Sequence, residues 1–192
     1  LFRSPTPPIP KSSAQFDVAL WTGDGSSSRS ITGLNFQPDL VWTKNRDATL
    51  NHALFDSVRG VGASKALYSS SAWGEAHDGT NGANATYGYI SSLDSAGFSL
   101  VAGSGVATTS YTNKNTIKYV GWSWKKGVTP GFDIVSYTGN GSNRTISHAL
   151  GVAPRLMLVK KLSAASSAGW MVYHADRGNT GNLYLNTTNA FV

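Results

Sequence analysis

An all-β sandwich is the fold this sequence predicts, and three observations predict it. Short β-prone runs alternate with turn residues along the whole chain. Apolar residues nowhere recur at i, i+3, i+4 and i+7 over three turns, so almost no helix is expected. Gly, Ser, Thr and Asn fill the intervals, while charged residues make up only 14% of the 192 positions. With 40% hydrophobic and 11% aromatic residues the chain can fill a core. About eight to ten strands in roughly 110 residues, with long-range pairing, is most simply a jelly roll.

The strands follow in order. Phe16 to Trp21 runs into the turn Gly23-Asp24-Gly25. Arg29 to Leu34 is a second strand. Pro38 to Lys44 is a third, and its continuous apolar run predicts burial on both sides. Leu50 to Asp56 and Ala66 to Ser70 are the fourth and fifth. A Gly/Asn-rich loop, Asp78 to Asn84, precedes Tyr87 to Ser91, Ser95 to Val101 and Thr116 to Lys125. The last strand alternates Ile117, Tyr119, Gly121 and Ser123 against Lys118, Val120, Trp122 and Trp124, so one face is large and apolar.

The chain also writes itself twice. Phe16–Ile31 reads FDVALWTGDGSSSRSI and Phe132–Ile146 reads FDIVSYTGNGSNRTI. With Ser28 skipped, 8 of 15 positions are identical: Phe, Asp, Thr, Gly, Gly, Ser, Arg and Ile. Leu34, Pro38, Leu40 and Lys44 answer Leu150, Pro154, Leu156 and Lys160, and Leu67-Tyr68 answers Leu183-Tyr184, all 116 residues apart. Arg59-Gly60 answers Arg177-Gly178. A period this long marks a repeated domain, since solenoid units run roughly 20–50 residues. The expected division is a Pro-rich arm at 1–15, a first module at 16–126, a linker at 127–131 and a second, incomplete module at 132–192. Residues 3–10, RSPTPPIP, hold four prolines and favour an extended arm. The short linker GVTPG predicts modules that pack or stack in line. A half-sandwich exposing Leu156, Met157, Leu158 and Val159 is expected to need further strands, and so to work within a larger assembly.

The motifs FDVxxxTGxGxxRxI, LxFQPDLVWTKNR, LFDSVRG, SAGFSL and YVGWSWK, in that order, resemble a family of bacteriophage virion proteins with tandem concanavalin-like (laminin-G-like) jelly-roll modules. The resemblance covers Phe16 to Lys126 and, in part, Phe132 to Val192. It implies a concanavalin-like jelly-roll sandwich and a role on the virion surface, in tail fibres or other appendages, and it suggests a homotrimer. It supplies no catalytic residues. The second copy departs from the pattern where Asp39 becomes Arg155 and Lys44-Asn45-Arg46 becomes Lys160-Lys161-Leu162.

Composition narrows the chemistry. There is no cysteine, hence neither disulfide framework nor thiolate metal site. The net charge of +6 is scattered, with Lys125-Lys126 and Lys160-Lys161 the densest pairs. Nucleic-acid binders gather charge on one face, so no nucleic acid is expected. No run of roughly 18 apolar residues occurs, so no membrane partner is expected. Nine Asp and the single Glu75 do not present the facing carboxylates that glycosidases need. His52, His77, His148 and His174 form no HxH or i, i+4 pair, and no serine lies in GxSxG. Asp56 with Arg59 reads as a turn held by Arg. TGDGSSS and TGNGSNR lack the GK[ST] of a phosphate loop and read as tight hairpin turns. Asp24-Gly25-Ser26 and Asp78-Gly79-Thr80-Asn81 offer oxygens suited to calcium, but the turn reading is preferred. No cofactor and no metal are predicted.

Six tryptophans remain. Trp42, Trp122 and Trp124 have apolar strand neighbours and read as core. Trp73, in the polar run SSSAWGEAHDG, is the expected glycan or partner contact, with Tyr87 and Tyr111 behind it. The expected function is a non-enzymatic structural protein of a phage virion, partnered by identical subunits and other virion proteins. The alternative is a carbohydrate-binding adhesin for host-surface glycans; a polysaccharide-active enzyme is the third and weakest.

Overall fold

The computed structural model describes residues 12–75, 86–104, 110–163, 168–189 and 191. The Pro-rich arm at 3–10 and the loop at 78–84 lie outside them, as does His77. Within them the chain is β throughout, save one 3₁₀ turn at Ser12–Ala14.

Eight strands build the first copy. Five form a sheet in the order β1-β8-β3-β4-β5: β1 is Phe16–Thr22, β8 Lys118–Trp124, β3 Leu40–Asn45, β4 Ala53–Asp56 and β5 Leu67–Tyr68. Three form a second sheet, β2-β7-β6, from Arg29–Thr32, Gly97–Val101 and Tyr89–Asp94. Every pairing is antiparallel. The two sheets close on a single core of Trp21, Val41, Phe55, Tyr68 and Tyr119 from one side and Ile31, Ile90, Phe98 and Leu100 from the other. Period-2 alternation explains who points inward. β3 buries Val41, Thr43 and Asn45 and leaves Leu40, Trp42 and Lys44 half-buried, so one side is filled and the other only partly covered. The expectation of burial on both sides is corrected: an apolar run also arises when the outward face of a strand is itself apolar.

β8 reverses the usual sense of a large apolar face. Tyr119, Gly121 and Ser123 point into the core, and Val120, Trp122 and Trp124 point out. Gly121 is small because Trp21 and Phe98 pack over it; a Cβ there would lie 3.1 Å from the Trp21 ring and 3.3 Å from Phe98. Trp21 stacks on Tyr119 at 5.5 Å and 17°, and its indole N–H donates to the carbonyl of Thr112 at 2.8 Å.

The segment between β1 and β2 is not a hairpin, because its two strands belong to different sheets. It is a crossover, pinned by Asn113 and not by a ladder. Gly25 adopts φ +74°, where glycine has no steric penalty. Gly23 is needed for a different reason: a Cβ there would stand 1.9 Å from the carbonyl oxygen of Lys114. Its repeat counterpart Gly139 has nothing within 4 Å. Gly23→Ala is therefore expected to cost at least about 1–3 kcal/mol as the backbone is forced apart. Gly139→Ala should stay within about 0.5 kcal/mol of the parent. Urea denaturation of the two variants checks the contrast.

The second copy forms a three-stranded sheet, β11-β10-β9, from Gly178–Tyr184, Met171–His174 and Leu156–Val159. It repeats β5-β4-β3 residue for residue. Leu156 pairs with His174 as Leu40 pairs with Asp56, and Met171 pairs with Tyr184 as Ala53 pairs with Tyr68. The linker turns tightly: Gly127 and Phe132 form a β-bridge, and Phe132 packs 6.3 Å from Trp124. Among the described residues no helix is long and apolar enough to cross a membrane.

Candidate functional site

The outward face of the five-stranded sheet is the site the fold creates. Phe16, Val18 and Leu20 of β1 stand beside Trp124, Trp122 and Val120 of β8, and β3 adds Trp42. Val18 and Leu20 are 42% and 64% exposed. A contiguous exposed apolar surface of this kind marks an interaction site. At its centre Trp42, His52, Trp122 and Trp124 line a shallow groove of about 250 Å³. The His52 ring lies parallel to Trp122, 6.4 Å away at 7°, and Trp42 closes the groove edge-on to Trp122 at 72°. Trp42, Trp122 and Trp124 are thus half-buried residues of the outward face, not the core residues the sequence predicts. The core side of these strands is already filled by Trp21, Tyr119 and Phe55, and alternation sends the indoles outward.

One polar bond organises the groove. The Trp42 indole N–H donates to His52 Nδ1 at 3.0 Å, which places the imidazole proton on Nε2. Burial, with the nearby Lys44 charge, lowers the His52 pKa below the usual 6.5, which favours the neutral ring. Lys44 is likewise lowered, by burial.

Beside the groove the second copy rests on the same face. Trp170 is buried against Leu54 and Leu67, with Leu40, Trp42 and Leu162 around it. Its indole N–H donates to the Tyr68 carbonyl at 2.8 Å. Lys160 donates to the carbonyl of Ala72 at 2.8 Å, and the Glu75 N–H donates to the carbonyl of Leu162 at 2.9 Å. The approach is close enough that a Cβ on Gly74 would lie 2.4 Å from the Ser163 carbonyl.

The residues expected to touch a glycan or partner are not brought together here. Tyr111 is only 5% exposed and packs in the core between Tyr68 and Tyr87. Tyr87 is half-buried against the same core. Tyr111 is corrected to a packing role, because its ring is enclosed at the end of the sandwich, while Tyr87 packs beside it and keeps part of its surface exposed. Trp73 is half-buried in the segment that meets the second copy. The signal for the actual groove was present in the alternation of β8, which puts two tryptophans on one face.

The charged clusters hold turns. Arg59, with 6% of its side chain exposed, binds Asp56 at 2.5 Å and Glu75 at 3.1 Å, and it donates to the carbonyls of Lys65 and Leu54. In the second copy Arg177 is exposed, and Asp176 pairs instead with Arg155. Asp24 Oδ1 accepts from the N–H and hydroxyl of Ser26 and from the Asn113 amide, and Oδ2 faces Arg29 at 3.6 Å. Those bonds, led by the Ser26 hydroxyl, lower its pKa from 3.8 to about 2. A depressed carboxylate stabilises the fold above its unfolded pKa and loses that contribution as pH falls toward about 2. Asp24→Asn is expected to flatten this part of the acid limb in a stability–pH titration. Among the described residues no group of three or more His, Asp or Glu is placed to hold a metal ion.

No curated protein and no solved structure matched the chain. One family profile does, over residues 11–192, running unbroken through both copies and the linker between them. The chain therefore belongs to the family described as a domain of unknown function, DUF7483.

Proposed function

We propose that this chain is a non-enzymatic structural protein of a phage virion, a tail fibre, spike or surface decoration, acting through subunit assembly at the particle surface. The observation that carries the proposal is module-on-module packing. The second copy seats Trp170 on the outward sheet face of the first, and the rest of that face stays apolar and open. A protein built this way presents sheet faces to other sheets, which is assembly chemistry. The virion setting rests on the five ordered motifs. In this reading residues 16–126 are a concanavalin-like jelly roll, 132–192 a second module, 127–131 their linker and 1–15 an arm. The partners are identical subunits, as a homotrimer, and other virion proteins. Immunogold labelling of purified particles tests it: label on a surface appendage is expected, and protein found only in the soluble fraction of infected cells would overturn it.

A second reading is favoured by the aromatic groove. Trp122 and Trp42 present flat apolar rings beside the polar His52, a surface suited to a sugar ring of a host glycan. Trp122→Ala should then abolish retention on immobilised host polysaccharide. Equal retention of parent and variant would remove this reading and leave the first untouched.

A further inference from the structure

The contact that joins the two copies uses groups that the chain carries twice, once in each copy. The donor corner of the second copy is Lys160 and Trp170, at the end of β9 and just before β10. Its counterpart in the first copy is Lys44 and His52, at the end of β3 and just before β4. The backbone around the two corners is the same: the Ser69 N–H donates to the His52 carbonyl as the Leu185 N–H does to that of Trp170. Lys160 uses three carbonyl partners, two in its own loop (Lys161 and Ala168) and one on the first copy (Ala72). Among the described residues Lys44 uses two carbonyls, both in its own loop, Asn45 and Ala48. An ammonium has three donors, so one is left over for a neighbour. His52 holds the chain position that answers Trp170, and with its Nδ1 accepting from Trp42 it keeps an N–H donor at Nε2.

The receiving face is repeated as well. The first copy receives with Leu40, Trp42, Leu54, Leu67 and the carbonyls of Tyr68 and Ala72. The counterparts in the second copy are Leu156, Leu158, Val172, Leu183, Tyr184 and Thr188. Leu156 and Leu158 are 56% and 41% exposed.

We propose that the second copy of one chain receives the Lys44–His52 corner of another copy of this chain, by the same geometry that seats Lys160 and Trp170 on the first copy. The inference rests on the assembly reading and names its partner surface. The contact is heterologous: the donor corner of the first copy meets the receiving face of the second, so each chain keeps one of each free and chains join head to tail, closing as a three-membered ring in the homotrimer. It is weaker than the internal contact, for two reasons. His52 buries less apolar area than Trp170. The position of Gly74, where the neighbour comes closest, is Ala190 in the second copy.

Mixing variants tests the direction of the contact. Leu158→Glu spoils the receiving face and His52→Glu the donor corner. Leu156→Glu and Lys44→Met serve the same ends, should either first choice lower the thermal midpoint. The parent's mean mass by light scattering should rise beyond a dimer with concentration. Each variant alone should remain monomeric, and an equimolar mixture should stop at the dimer, because one intact face and one intact corner remain. A parent that stays monomeric or closes as a discrete dimer, a single variant that still grows, or a mixture that stays monomeric each overturns the proposal. Particle labelling is independent of all of these, so loss of this contact and loss of the virion reading are told apart.

Discussion

Arg59→Met is expected to remove about 3–5 kcal/mol from the stability of the first copy, the cost of leaving a buried carboxylate without its cation. Asp56 is 4% exposed and cannot regain water without opening the end of β4. It would keep the backbone N–H groups of Val58 and Arg59 but lose the guanidinium. The same side chain also ties the carbonyls of Leu54 and Lys65 to Glu75, so the segment from β4 to residue 75 loses its anchor. Arg177→Met is the matched control. Its guanidinium is exposed and stands over Phe191 at 5.9 Å, and the position of Asp56 is His174 in that copy. Its effect should stay within about 0.5 kcal/mol. Urea midpoints of the two variants decide. Equal losses would mean that the buried network is not what holds this turn.

Trp170→Ala should release the second copy from the first, at a cost of about 3–5 kcal/mol for an emptied indole site. Leu54 and Leu67 would lose their cover, leaving Leu162 and the two hydrogen bonds from Lys160 to Ala72 and from Glu75 to Leu162 to span the contact. Trp170→Phe separates packing from hydrogen bonding. It keeps most of the apolar contact and removes only the bond to the Tyr68 carbonyl. That carbonyl still accepts from the Ser71 N–H at 3.2 Å, so the loss should be about 0.5–1.5 kcal/mol. Limited proteolysis at the 127–131 linker reads the outcome: rapid cleavage in the alanine variant, near-parental resistance in the phenylalanine variant. An alanine variant as resistant as the parent would show that Trp170 does not hold the copies together.

The strands of the first copy were legible because alternation and turn residues are local signals, and each of the eight expected segments overlaps one. The side of the sheet on which a residue falls was not. In β8 the reading that puts large apolar residues inside fails, because Trp21 and Phe98 come from β1 and β7, distant in sequence, and claim the core over Gly121. That displacement created the groove of Trp42, His52, Trp122 and Trp124, which local pattern had assigned to the interior. Tyr111 shows the converse: a polar neighbourhood, TTSYTNK, around a ring that the sandwich end encloses.

The repeated segment divides most clearly what sequence determines from what tertiary structure decides. Phe16–Ile31 and Phe132–Ile146 share their short-range bonds. Asp17 and Asp133 each accept from the next N–H, Asp24 and Asn140 each accept from the N–H two residues on, and Arg29 and Arg144 each donate to the carbonyl of the Thr seven and six residues before. Gly25 and Gly141 share a left-handed φ of 74° and 77°. These features need only neighbours in the chain, and the sequence by itself determined them in both copies. Strand formation does not repeat: the segment is β1 and β2 in the first copy and has no ladder in the second. β1 pairs with β8, and β2 pairs with β7, roughly 70–100 residues further along the chain; residues 132–192 contain no counterpart of either. A strand's backbone bonds lie on another strand, so a repeated sequence becomes sheet only where the fold delivers that partner.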